Sequence, residues 1–311
     1  MTVIVSGAMP MGNLLKNWQI QRRQEAMTGY GFMAPTILIA GVFLFLPILY
    51  AIGLAFYRVQ LLGEVRYDFT GLRNFIRMTQ DERVWIALRN TVEYVAIVVP
   101  IQTLLALFLA LVLNRQIKGR SWFRVAFFLP TVTSSAVLTL IFMWIYNSNG
   151  LLNQLLSWFR LPTYNWLGDP AVALKGIMMM NIWATAPLFM VVYLAALQDI
   201  PESLYEAARL DGATGWETFF YITLPFLQPV TFFVVVMGVI GTFQLFDQSY
   251  IFSAGSGGPN DSTLTIVLLI YQYAFKNLDM GYALALTLML AVVLIVSTVI
   301  QRQLFKEQHF D

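Results

Sequence analysis

The chain has 311 residues, of which 58% are apolar and only 12% charged, against ~25% charged in ordinary globular domains. A net charge of +2 without a Lys/Arg block excludes the usual basic nucleic-acid binder. With no cysteine and a single histidine, His309, the sequence excludes disulfides, thiolate zinc sites, a cysteine nucleophile and any His-based triad or His-metal cluster; no nucleophile–base or metal constellation is evident, and no catalytic residue, metal ligand or cofactor is assigned.

Mean hydropathy is +0.67, and the apolar excess falls into six runs, each near the ~20 residues that cross a bilayer. The first, Ala34–Phe56, is too long for a signal-peptide core of ~7–15 residues and reads as a retained helix. Next, Gly71–Asn90 reads as an amphipathic surface helix, with Phe75, Trp85 and Leu88 at the interface. Thr91–Leu113 is the second span. The stretch Asn114–Arg124 then carries Arg115, Lys118, Arg120 and Arg124 with no acid, which favours the cytoplasmic side. Val125–Tyr146 and Ala173–Leu197 are the third and fourth spans, Gln228–Gln248 the fifth and Tyr282–Ile300 the sixth. Turn residues mark Ser253–Ser262 as an outer loop.

The runs are continuous rather than alternating, so helices are expected and not barrel strands. Pro35, Pro47, Pro100, Pro130, Pro187 and Pro229 lie in or near spans and predict kinks. The expectation is an all-α integral membrane bundle of six transmembrane helices. Residues 34–302 form it; 1–33 and 303–311 are cytoplasmic tails. An even number of spans puts both termini on one side of the plasma membrane.

Between the fourth and fifth spans the chain reads DIPESLYEAARLDGATGWETFFYITLP, residues 199–225. Asp199 is placed to cap a short helix, with Pro201 in its first turn and Glu202 three residues after the cap. Ile200, Leu204, Ala207 and Ala208 fall on one apolar face, and Glu206 and Arg209 point elsewhere. Gly212 supplies a stop. Thr214-x-x-Glu217 is a capping box for a second helix, expected to end before Pro225. Small alanines permit close approach by another surface, and the acids offer partners to bases. A plain interfacial linker between two spans fits the same pattern.

Glu206-Ala207-Ala208, Gly212, Ile222 and Leu224-Pro225, with Asp211 and Ala213 completing the DGA form, resemble the EAA signature of type I ABC-importer permeases. Several further pieces occur in the order seen in its sugar-transporting branch, which includes the maltose and glycerol-phosphate permeases. They are Gly71–Phe75, Asn90-Thr91, Phe128-Leu129-Pro130, Gly150–Asn153, Gly257–Pro259 and Ala195–Pro201. The resemblance implies the MetI-like permease fold, a bacterial inner-membrane location and no chemistry in this chain. It implies four kinds of partner: a second permease, two ABC ATPase subunits, an external solute-binding protein and a carbohydrate substrate. It makes the loop the ATPase-coupling element, through Glu206, Ala207, Ala208, Arg209, Asp211 and Gly212. No G-x-x-x-x-G-K-[ST] phosphate cradle occurs, so the ATPase must be a separate subunit.

A sugar needs neutral hydrogen-bonding groups and ring faces, and polar groups within spans usually face the bundle interior. Asn181 and Thr185, at i and i+4, share a face of the fourth span. The fifth holds Thr242, Gln244 and Asp247. These five are the expected substrate-path residues, and the resemblance to the maltose permease points to the same two helices and to Asn181. Gly238, Gly241 and Thr242 also fit a small-residue packing face. The alternative substrate is a glycerol phosphodiester or polyol. From another class, an ion-coupled secondary transporter calls for ion-coupling groups within the membrane, such as buried acids or broken helices, and few acids lie deep in these spans.

Overall fold

A computed structural model describes residues 11–60, 66–115 and 119–306. It contains two units, residues 1–54 and 55–311. The described residues of the first form one long helix: α1 (Met11–Ala40), a wider π turn at Gly41–Phe45, and α2 (Leu46–Leu54). The stretch Arg22–Leu54 is long and apolar enough to cross a membrane. The π turn ends where Leu46 N–H reaches back to the Gly41 carbonyl, directly before Pro47. A proline has no N–H to give and crowds the carbonyl four residues back, and an extra residue in the preceding turn moves that carbonyl away.

The second unit opens with a hairpin absent from the sequence-based expectation, β1 (Tyr57–Gln60) antiparallel to β2 (Arg66–Phe69), Tyr57 facing Phe69. The expected surface helix over Gly71–Asn90 is two pieces. Helix α3 (Arg73–Gln80) stops at Asp81, whose extended backbone breaks the run and whose carboxylate caps α4 (Glu82–Asn114) by accepting from Arg83 N–H at 3.0 Å. The second half of the predicted surface helix is therefore the first turns of a span.

The third span is not one helix. Helices α5 (Arg120–Val132) and α6 (Ser135–Ile145) meet at 108°. Pro130 removes one backbone donor, and Thr133 and Ser134 adopt extended conformations that end the helix. After α7 (Leu151–Trp158) comes α8 (Ala173–Gln198). The loop helices α9 (Glu202–Leu210) and α10 (Gly215–Thr218) lead through a π turn, Phe219–Thr223, into α11 (Leu224–Phe243). Helices α12 (Asp247–Phe252), α13 (Ile266–Tyr271) with its terminal π turn Gln272–Lys276, and α14 (Met280–Lys306) complete the unit. Among the described residues five helical stretches are of spanning length, and the bent α5–α6 pair makes a sixth if it counts as one.

The bundle is organised around α4 and α8, with α11 against both. Ala106, Ala110 and Ala186 are fully buried at the seam, and small residues at i and i+4 let membrane helices approach closely. Toward the end where Leu113, Leu197 and Ile200 meet, Tyr193, Met190 and Leu227 fill the core. Toward the hairpin end, Leu264, Ile266, Leu269, Tyr282 and Leu286 pack on Val84 and Ala87.

That hairpin end is held by polar pins. Asn74 donates to the Ala55 and Tyr57 carbonyls at 2.8 and 3.1 Å. Asn90 donates to the Asp261 and Leu264 carbonyls at 2.7 and 3.0 Å, while Thr91 Oγ1 accepts from Ile266 N–H at 3.0 Å. Arg83 forks onto Asp261 at 3.1 and 3.0 Å. Arg77 donates to Asp279 at 2.6 Å and stacks on Tyr282. Burial opposes the Arg77 charge, but Asp279 outweighs it and holds the guanidinium above its ordinary pKa.

Candidate functional site: the 199–225 loop and a buried polar ladder

The loop begins one step later than its sequence suggests. Asp199 does not cap α9; it closes α8, its N–H reaching the Ala195 and Ala196 carbonyls. Pro201 stands at the N-cap position of α9. The reason is the proline itself, which disfavours helical backbone in the residue before it, so Ile200 separates the two helices.

The inward face of α9 is Leu204, Tyr205 and Ala208, the last only 8% exposed, and Ile200 just before the helix is buried with them. Ala207, expected on that face, is exposed beside Glu206. At the C-terminus Gly212 has φ +77°. Its N–H reaches the Arg209 carbonyl at 3.2 Å and Ala213 N–H reaches the Ala208 carbonyl at 2.9 Å. These two reverse bonds form a Schellman cap, which needs a left-handed residue at this position. Asp211, exposed, is the last right-handed residue before it.

The Thr214–Glu217 capping box is present, with both reciprocal bonds. The helix it starts does not end before Pro225. The π turn Phe219–Thr223 precedes Leu224-Pro225, repeating the arrangement before Leu46-Pro47, and the helix runs on to Phe243. What sequence reasoning missed here is apolar. Leu210 is 89% exposed, and Trp216, Phe220 and Tyr221 are exposed as well, Trp216 stacking on Phe220 at 6.0 Å. A capping-box pattern gives no sign of this; the density of aromatics after Gly215 does.

The second site lies in the α4–α8 seam. Asn181 Nδ2 donates to Gln248 Oε1 at 3.1 Å, and the Tyr94 hydroxyl stands 3.5 Å from the same oxygen. One turn along α8, the Thr185 hydroxyl lies 2.7 Å from Gln102 Oε1 and 2.8 Å from the Asn181 carbonyl; with one hydrogen it serves one of them at a time. Gln102 is 1% exposed and Asn181 9%. Gln102 Nε2, Thr103 Oγ1 and Asn181 Oδ1 are buried without a hydrogen-bond partner. Room for Gln102 comes from Gly238 on α11, where a Cβ would meet Nε2 at 2.6 Å.

The structure therefore brings Asn181 and Thr185 together and adds Gln102, Gln248 and Tyr94. A glutamine within the apolar run after Pro100 was the available signal for Gln102. Thr242 is buried but bonds back to the Gly238 and Val239 carbonyls of its own helix. Gln244 and Asp247 are exposed, one ending α11 and the other starting α12, and neither makes a hydrogen bond to the ladder. Gly241 has open space around it, so the expected packing face reduces to Gly238 and Thr242.

Residues 102–308, more than half of the chain, match the family model described as binding-protein-dependent transport system inner membrane component. The lactose transport system permease protein LacF of Rhizobium radiobacter is 36% identical over 89% of this chain and 92% of its own length. The arabinooligosaccharides transport system permease protein AraP of Halalkalibacterium halodurans is 36% identical over 89% and 87%. A chain of the bacterial alginate ABC transporter, solved with an alginate pentasaccharide-bound periplasmic protein, superimposes with a TM-score of 0.77 at 25% identity, covering 92% of this chain and 96% of that one.

Proposed function

Because the chain belongs to the family of inner membrane components of binding-protein-dependent transport systems, and is therefore a multi-pass membrane protein, we propose that it is one permease subunit of an ATP-driven carbohydrate importer. It pairs with a second, related permease to enclose the path. An external solute-binding protein delivers the sugar, and two ABC ATPase subunits hydrolyse ATP. Both termini and residues 199–225 face the cytoplasm, in keeping with the cation-dense stretch Asn114–Arg124. Glu206, Ala207, Asp211 and Gly212 form the docking face, together with the exposed Leu210; Arg209 flanks it on the side toward the ends of α4 and α8, and Ala208 supports it from behind. Residues 34–302 are the permease domain, with tails at 1–33 and 303–311.

The observation that carries the substrate class is the ladder. Its members are neutral amides and hydroxyls, with Gln102 Nε2 as a spare donor and Asn181 Oδ1 as a spare acceptor. A sugar hydroxyl both accepts and donates, so it can satisfy an unused donor and an unused acceptor of this kind. A glycerol phosphodiester also carries hydroxyls, but its phosphate charge would enter a buried site holding no cation. Closure of the ATPases on ATP draws the loops together and opens the bundle outward. The ladder then becomes reachable, and release of phosphate returns it to the occluded arrangement.

Uptake of labelled neutral oligosaccharides by the assembled transporter tests this. Gln102→Leu and Asn181→Leu should each lower uptake about fivefold or more, the cost of ~1–3 kcal/mol for an unpaired polar group, at unchanged membrane abundance. Wild-type uptake by both variants and by the double variant removes the ladder from the path.

A further inference from the structure

A cavity of about 1140 Å³ opens where the ends of α4 and α8 meet α9 and the start of the α10–α11 helix. It is larger than the ~300–1,000 Å³ of ordinary small-molecule pockets. Phe108 and Leu111 of α4 and Leu197 of α8 form an apolar wall, all within the last turns of spanning helices. Arg115, Arg209 and Trp216 also line the cavity, and among the described residues no acid does. Neither arginine makes an ion pair among the described residues, and Arg209 is not bonded to Glu206. Glu217, the acid nearest Trp216 in sequence, is tied to Thr214 by bonds of 2.6 and 2.7 Å.

We propose that this cavity is a binding site for an anionic phospholipid. Its phosphate sits between Arg115 and Arg209 and its acyl chain lies along Phe108, Leu111 and Leu197. Three features argue for this occupant over a soluble anion. The apolar wall belongs to span ends, so it is continuous with the hydrocarbon layer. Arg115 directly follows the last residue of α4 and Arg209 lines the same cavity from α9, so both guanidinium groups border span ends, and basic pockets between transmembrane helices take anionic headgroups. Trp216 is the side chain favoured at that boundary. A zwitterionic lipid brings an ammonium that two unpaired arginines repel. A lipid seated here touches α9 and α10 at once and holds the loop at a fixed height on the bundle. The site is independent of which solute the ladder carries.

The full-length chain is purified with its co-purifying subunits and reconstituted in nanodiscs of phosphatidylcholine, with or without phosphatidylglycerol. Retained lipid is counted by native mass spectrometry. Wild type should retain phosphatidylglycerol over phosphatidylcholine. Arg115→Gln should weaken that preference about fivefold, the worth of one cation near a lipid surface. Leu111→Trp, which fills the apolar wall without touching a charge, should also displace the lipid, and Arg115→Lys should retain it. Equal phosphatidylglycerol retention by wild type, Arg115→Gln and Leu111→Trp overturns the proposal. So does competition by inorganic phosphate alone, which marks a soluble-anion site. Loss of subunit co-purification in Arg115→Gln with lipid retention intact also overturns it, because the groove is then a subunit interface.

Discussion

Gly212 offers a test in which backbone conformation and side-chain bulk make opposite demands. Its φ is +77°, and a Cβ placed there would meet nothing within 4 Å. Substitution therefore costs no packing, only the left-handed backbone, which for an L residue is about 1–2 kcal/mol. That is a factor of about 5 to 30 in the population of the capped loop. Asparagine tolerates this region far better than other residues, while a β-branched residue tolerates it least. The expected order of damage is Gly212→Asn, then Gly212→Ala, then Gly212→Val. Two readouts apply. Hydrogen exchange at the Ala213 amide, which is held by the Ala208 carbonyl at 2.9 Å, reports the cap. Co-purification of the ATPase subunits and substrate-stimulated hydrolysis report docking. If Gly212 serves only to keep a surface small, bulk decides, and Asn becomes worse than Ala. That inverted order, or wild-type behaviour in the Val variant, refutes the role of the cap.

In Gly238→Ala, the new methyl lands 2.6 Å from Gln102 Nε2. The amide is a flexible end and can turn, but turning breaks its contact with Thr185, and the lost bond and orphaned oxygen at ~1–3 kcal/mol outweigh the ~0.5–1 kcal/mol that alanine adds to a helix. Uptake should fall at normal abundance; a more heat-stable variant with full uptake contradicts the placement of Gln102. At the other end, Arg83→Gln removes a fork onto Asp261 whose partners are 37% and 27% exposed. The expected loss is about 0.5–1 kcal/mol, read as faster protease cleavage within Ser253–Ser262, and the swap Arg83→Asp with Asp261→Arg should restore part of it.

Much of this architecture is written in the sequence because membranes leave few choices. Continuous apolar runs must be helices, and the six runs fall on the five spanning stretches and the bent pair. The capping box at Thr214 and the stop at Gly212 are local chemistry and were legible as such. The errors share a cause. The break between α5 and α6, the split at Asp81 and the late start of α9 at Pro201 all depend on what one or two residues do to backbone direction, while apolar periodicity runs unbroken across them. The same holds for the hairpin, whose strands are four residues each, too short for a period to register.

The short pieces that carried the family resemblance have physical roles that sequence alone conceals. Asn74, Asn90 and Thr91 are pins that satisfy backbone groups of distant segments. Asn153 does the same, exchanging bonds with the Tyr164 backbone at 2.8 and 3.2 Å and accepting from Trp166 Nε1 at 3.0 Å. None of these four touches the ladder. The resemblance thus identified the scaffold more firmly than the path: Gln102 belongs to none of these pieces, and its polar side chain within an apolar run gives no partner until α8 lies against α4.

The loop and the ladder share one mechanical element. From Gly215 to Phe243 the chain is a single helical run, bridged rather than broken at Pro225 by the π turn. Gly238 lies 23 residues beyond Gly215, about 35 Å along the axis at 1.5 Å per residue. One end of this rod is fixed to the loop by the Thr214–Glu217 box, and the other sets the space available to Gln102. On the proposed docking, a displacement of the loop would have a packed, continuous element along which to reach the ladder. Had the second loop helix ended before Pro225, as its sequence suggests, that connection would run through a flexible joint. The wide turn keeps the proline in the helix, and the rod keeps its length.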